Sequence, residues 1–176
     1  LVVFVLVMPI AASSAPNVSA VEAQSAAATE KVSSVRPAIG DKLAGITFKD
    51  TRYLTRTLAD LSQAKDPVTK RGFVLVFTNT TCPLVQKYWP CLKNLDQQFR
   101  NRGIQVVSVN VGAQDSIVEI AAQGVTHELE FPCVQDVDGR TARACGVERT
   151  PEVVLIDAEH KLRYRGRIDD QYRLGG

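Results

Sequence analysis

The chain has 176 residues, 45% of them hydrophobic and 23% charged, with a net charge of +2. That length leaves room for one domain and a tail, in an ordinary globular composition. So small a charge, with no long run of Lys and Arg, suggests no nucleic-acid surface, and no nucleic-acid partner is expected.

Leu1 to Ala12 is an apolar run of twelve, short for a membrane-crossing helix. Small residues follow at Ser13, Ser14 and Ala15, and again at Val18, Ser19 and Ala20. Residues 1–20 therefore read as a signal peptide or N-terminal anchor, truncated because no Met or basic segment precedes it. A buried core element is the bland alternative. The expectation is export: a periplasmic, secreted or membrane-tethered protein. Residues 21–38, rich in Ala, Ser, Val and Glu, read as a flexible linker. The folded domain is expected over 39–176, its first packed residue near Ile39 or Leu43.

Phe73 to Phe77 is a short run of β-forming residues, expected as a strand buried on both faces. After Cys82 and Pro83, apolar residues at Leu84, Val85, Tyr88, Trp89, Leu92, Leu95 and Phe99 mark one helical face, ending at Gly103. Pro83 suits the first helical position, where its missing N–H would have had no partner. Ile104 to Val111 reads as a second buried strand. Ser116 and Glu119 form a capping box opening a helix to about Gln123. Phe131 to Val134 is a further candidate strand. Thr141 to Cys145 reads as a short helix stopped by Gly146. Val153 to Ile156 is a strand, and residues 157–160 turn the chain. In the last strand Leu162, Tyr164 and Ile168 alternate with Arg163, Arg165 and Arg167, the arginines forming a solvated face. The order predicts an α/β domain, its mixed central sheet flanked by helices and closed by a C-terminal hairpin. A covering helix should follow that hairpin, and its absence before Gly176 reads as truncation.

Cys82 stands between a buried strand and a helix. Helix N-termini present unpaired N–H groups and a positive dipole end, which favour a thiolate and make it nucleophilic. A buried inert thiol is the alternative, since free Cys is often core.

The segment Phe77-Thr78-Asn79-Thr80-Thr81-Cys82-Pro83 resembles the strand–Cys–Pro–helix segment of the thioredoxin-like redoxins. Pro90 lies eight residues beyond Cys82, where thioredoxins carry the proline that kinks this helix. Phe131-Pro132, Asp136 to Gly139, Ala144 to Val147, Thr150-Pro151 and Leu155 to Asp157 are similar to the rest of the pattern, in the same order. The likeness covers about Leu43 to Ile168. It implies a thioredoxin-like fold of the alkyl hydroperoxide reductase/thiol-specific antioxidant type. It also implies a cis Thr150–Pro151 bond near Cys82, with Asn79, Thr81, Pro83, Arg149, Thr150 and Pro151 shaping the pocket. The stretch from Tyr164 to Tyr172 is similar to exported bacterial redoxins that can be fused to further redox domains.

The sequence also departs from its relatives. Val85 replaces the second cysteine of the disulfide reductases' Cys-x-x-Cys, which removes a resolving thiol from that motif. Peroxiredoxins carry Thr and Pro where this chain has Asn79 and Leu75. Pro151 falls near the place of their arginine, leaving Arg149 as a substitute. Cys91, Cys133 and Cys145 are resolving or structural candidates; Cys133 and Cys145 are either bridged or two buried free thiols. A Cys82–Cys91 bridge is not expected, because nine helical residues separate the α-carbons by roughly 13 Å against a limit of about 7 Å. His127 and His160 lie in no ligand-like spacing and read as solvated, so neither metal nor cofactor is expected.

The expected function is a thiol-dependent antioxidant oxidoreductase with Cys82 as its single nucleophile. Its substrate is a peroxide or a disulfide, and its reductant an external thiol or thioredoxin-like donor. The rival is a catalytically weak redoxin module that docks within a larger exported redox protein.

Overall fold

The computed structural model describes residues 36–62 and 72–170. The expected signal peptide, nearly all of the linker and the last six residues lie outside them.

Two strands and a helix open the fold: β1 (Thr47–Lys49), β2 (Thr55–Thr57) and α1 (Leu58–Ser62). The centre follows as β3 (Gly72–Thr78), α2 (Pro83–Phe99), a single 3₁₀ turn (Arg100–Arg102), β4 (Ile104–Asn110) and α3 (Ile117–Thr126). Then come β5 (Cys133–Gln135), α4 (Arg140–Cys145), β6 (Glu152–Asp157) and β7 (Leu162–Gly166). Among the described residues seven strands form one sheet, ordered β2-β1-β5-β4-β3-β6-β7. β3, β4 and β5 run parallel, whereas β6 opposes β3 and β7 opposes β6. This is the expected mixed sheet with its C-terminal hairpin.

The central strands are continuous apolar runs because both sheet faces are covered. Phe73, Leu75 and Phe77 of β3 join Val107, Val109, Val154 and Ile156 in one core, which also takes in Leu43, Phe48, Leu58 and Cys145. Val74 and Val76 face the other way, with Val106 and Val153, against Val85, Tyr88, Trp89 and Leu92 of α2. Alternate side chains of one strand thus feed two cores. Pro90 sits inside α2, where it cannot donate to the carbonyl of Gln86.

Several expectations need correction. The β1–β2 hairpin lies outside the predicted order, because its strands have only three residues each and little apolar content. The strand expected from Phe131 begins at Cys133, although Phe131 is buried. α3 runs on to Thr126, through Gly124. The last strand does not keep its predicted alternation. Leu155 pairs with Tyr164 while Ile156 pairs with Leu162, so Arg163 is the extra residue of a β-bulge and facing inverts across it. Tyr164 is accordingly exposed. Arg165 instead points inward, its Nη1 donating to the carbonyls of Pro37 (2.8 Å) and Cys145 (3.1 Å). His127 is half-buried, its ring centroid 5.8 Å from that of Trp89; His160 is likewise half-buried in its turn. Cys133 and Cys145 form no bridge, and all four cysteines are free.

Candidate functional site

β3 ends at Thr78, paired in register with Asn110 at the end of β4. Four residues, 79–82, then lead into α2. Cys82 caps the helix with an extended backbone (φ −74°, ψ 114°), and Pro83 takes the first helical turn. The Cys82 carbonyl accepts from Gln86 N at 3.3 Å, while its thiol makes no capping bond. No acidic residue stands in the first turn of α2, so nothing there opposes an anion at the positive end of the helix. The thiol is half-buried against the Val85, Tyr88 and Trp89 side of the core.

Asn79 joins this cysteine to a second loop. Its Oδ1 accepts from Cys82 N at 2.7 Å, and its Nδ2 donates to Thr150 Oγ1 at 3.2 Å. The Thr150–Pro151 bond is cis, as the resemblance implies. The structure therefore brings Asn79, Cys82 and Thr150 into one hydrogen-bonded chain. Thr81 and Pro83 border the thiol in sequence and are exposed, and Pro151 is half-buried. Arg149 is exposed, and among the described residues it has no hydrogen-bond or ion-pair partner.

Two residues with no role expected from the sequence, Thr80 and Asp115, also join the site. Thr80 N donates to Asp115 Oδ2 at 2.7 Å, and Thr80 Oγ1 donates to Asp115 Oδ1 at 2.6 Å. The Thr80 carbonyl accepts from Gln86 Nε2 (3.0 Å) and Gln123 Nε2 (3.4 Å). Asn110 Nδ2 also donates to Asp115 Oδ2, at 2.7 Å. Burial pushes the Asp115 carboxyl up, but the hydrogen bonds from Thr80 and Asn110 outweigh it and hold the group below the usual carboxylate range. Gly112 is required beside it, since a Cβ there would collide with the Asp115 carboxylate. The available signal was Asp115 itself, an acidic residue standing directly before the capping box.

The other thiols differ in kind. Burial pushes Cys133 up to about 11. Burial, aided by the negative charge of Asp136 and opposed by Arg165, pushes Cys145 up to about 12. Both are protonated near neutrality and are poor nucleophiles. Cys91 is exposed on α2, and Val85, at the fourth position of the Cys82 motif, is buried. Among the described residues no three His, Cys, Asp or Glu side chains gather as a metal site.

The thiol-disulfide oxidoreductase ResA of Bacillus subtilis is 30% identical over 123 residues, 70% of this chain and 64% of that protein. The match thus spans less than two thirds of the relative's length. A hypothetical protein from Sinorhizobium meliloti has a TM-score of 0.68 at 23% identity, covering 81% of this chain and 77% of its own. The thioredoxin domain of a thiol-disulfide oxidoreductase from Bacteroides vulgatus has a TM-score of 0.60 at 17% identity, covering 73% of this chain and 88% of its own. These two likenesses speak for the fold, which is thioredoxin-like. The sequence model of the AhpC/TSA family matches residues 39–165, from ahead of β1 to within β7, and on that match the chain belongs to the AhpC/TSA family.

Proposed function

We propose that the protein carries out thiol–disulfide exchange with Cys82 as its single attacking sulfur. The observation that carries this reading is the Cys82–Asn79–Thr150 chain, which sets a half-buried thiol at a helix N-terminus beside a cis-proline loop. The likeness to a protein named a thiol-disulfide oxidoreductase supports it. The Cys82 thiolate attacks one sulfur of a substrate disulfide, forming a mixed disulfide and releasing the other sulfur as a thiolate. An external thiolate then attacks the substrate sulfur of that mixed disulfide. Cys82 leaves as a thiolate, and the two external sulfurs depart joined. A thioredoxin-like donor can supply that second thiol. An internal resolving step is disfavoured: Val85 offers no sulfur, and Cys91 lies more than two turns along α2.

Peroxide reduction, the other reading, uses the same thiolate but needs a donor to help the second oxygen leave. Arg149, the residue expected to serve, is held by nothing among the described residues, which favours disulfides as substrates. The proposal includes export, from the form of the apolar run Leu1 to Ala12. Among the described residues no helix is long and apolar enough to cross a membrane.

The test follows reduction of a small aromatic disulfide by the reduced full chain, with hydrogen peroxide consumption assayed beside it. Cys82→Ser should abolish exchange and Cys91→Ser should preserve it. An inert wild-type protein supports the docking-module reading, whereas exchange persisting in Cys82→Ser moves the chemistry to another thiol.

A further inference from the structure

Asp115 belongs to the β4–α3 connection, yet its side chain serves the loop ahead of α2. Its own connection has fastenings besides that side chain's bond with Asn110. Asp115 N donates to the Gly112 carbonyl at 3.1 Å, and Gln135 Nε2 reaches the Asp115 carbonyl at 2.7 Å. The start of α3 is closed by the reciprocal Ser116–Glu119 capping box. The carboxylate is thus left for Thr80 and Asn110.

The donors and acceptors around it admit one arrangement. Asp115 Oδ2 receives Thr80 N–H, which can only donate, and the amide of Asn110. That amide cannot be turned without loss, because Asn110 Oδ1 already accepts from Gly112 N at 2.9 Å. Asp115 Oδ1 receives the Thr80 hydroxyl. With two glutamine amides on its carbonyl, every polar group of Thr80 is engaged, from α2, from α3 and from Asp115. Thr80 stands between Asn79, which holds the Cys82 amide, and Cys82 itself.

We propose that Asp115 is a positioning residue for Cys82, fixing the Thr80 peptide so that the sulfur stays at the mouth of α2 in line with Asn79 and Thr150. The inference rests on the reading of Cys82 as the attacking thiol. Without the carboxylate, Thr80 N–H and the buried Asn110 amide lose their acceptor, a costly state that the loop relieves by moving. Small displacements of a reacting group slow its chemistry steeply.

The test uses the reduced full chain treated with iodoacetamide, the modified peptides being counted by mass spectrometry. The readout is the ratio of alkylation rates at Cys82 and Cys91. Cys91 lies on the same helix and is exposed, so global loosening does not lower the Cys82 rate relative to it. Asp115→Ala should reduce the ratio roughly tenfold or more. Asp115→Asn should keep it within about threefold, because its oxygen can take the place of Oδ2 while its nitrogen donates to a reversed Thr80 hydroxyl. Thr80→Val, which removes only that hydroxyl, should fall between them and serves if Asp115→Ala does not fold. An unchanged ratio in folded Asp115→Ala or Thr80→Val, even with a lowered melting temperature, makes Asp115 a brace alone and overturns the proposal. So does an Asn variant as slow as the Ala variant. A wild-type protein that alkylates at Cys82 but reduces no disulfide defeats the exchange reading instead, and the ratio still decides the role of Asp115.

Discussion

Replacing Asn79 separates what holds the candidate site together from what makes its sulfur reactive. Asn79→Ala removes two part-buried hydrogen bonds, to Cys82 N and to Thr150 Oγ1. At about 0.5–1.5 kcal/mol each, the loss should be about 1–3 kcal/mol. Asn79→Asp is different. One carboxylate oxygen still accepts from Cys82 N, and the Thr150 hydroxyl can turn to donate to the other, so stability should fall by less than about 1 kcal/mol. A negative charge now stands beside the sulfur, however, and repels both the thiolate and the negative transition state of its attack. Cys82 alkylation should slow roughly tenfold, the equivalent of about 1.4 kcal/mol. Urea unfolding measures the first quantity, and iodoacetamide labelling at fixed pH measures the second. An Asp variant that labels at the wild-type rate would refute the electrostatic part of this reasoning. An Ala variant as stable as wild type would show that the Asn79 bridge holds nothing.

Two further outcomes follow from the interior. Cys145 is fully buried with its thiol raised to about 12, while an unfolded thiol titrates near 8.5. Its contribution is therefore complete below about 8.5 and is lost as pH rises toward 12, because only the unfolded chain then releases the proton. The melting temperature should fall across that alkaline range and fall less steeply in Cys145→Ala; an identical slope would locate the effect elsewhere. Arg165→Ala frees the carbonyls of Pro37 and Cys145 and should cost about 1.5–3 kcal/mol in urea unfolding. Arg163→Ala, which breaks an exposed pair with Asp157, should cost far less, and equal costs would contradict the inward placement of Arg165.

The parts legible in the sequence were those whose cause is local. β3 and β4 announced themselves as unbroken apolar runs because each lies between two cores. α2 did so as a stripe of Val85, Tyr88, Trp89 and Leu92, and α3 through its capping box. Cys82 stood out by its place between strand and proline. The hidden parts depend on distant partners. β1 buries only Phe48 and is held by Thr141, whose Oγ1 donates to the Thr47 carbonyl at 2.8 Å, ninety-four positions away. The β7 bulge is a mismatch between two strands, so alternation within one strand could not reveal it. Asp115 reads locally as part of a helix start. Its use by Thr80, thirty-five positions back, exists only once β3 and β4 lie side by side.

Where the chain enters the domain, it is latched to the loop that carries Thr150 and Pro151. Arg36 Nε donates to the Gly146 carbonyl at 3.0 Å, and its guanidinium pairs with Glu148 and Glu152. Arg165 closes the latch through the Pro37 carbonyl. Gly146 to Glu152 brackets the cis peptide on both sides. A fragment beginning at Ile39 would keep every core side chain of the described residues and still lose this fastening. A pull on Arg36 is therefore felt on both sides of the candidate site's cis peptide, at Gly146 and at Glu152, the first residue of β6.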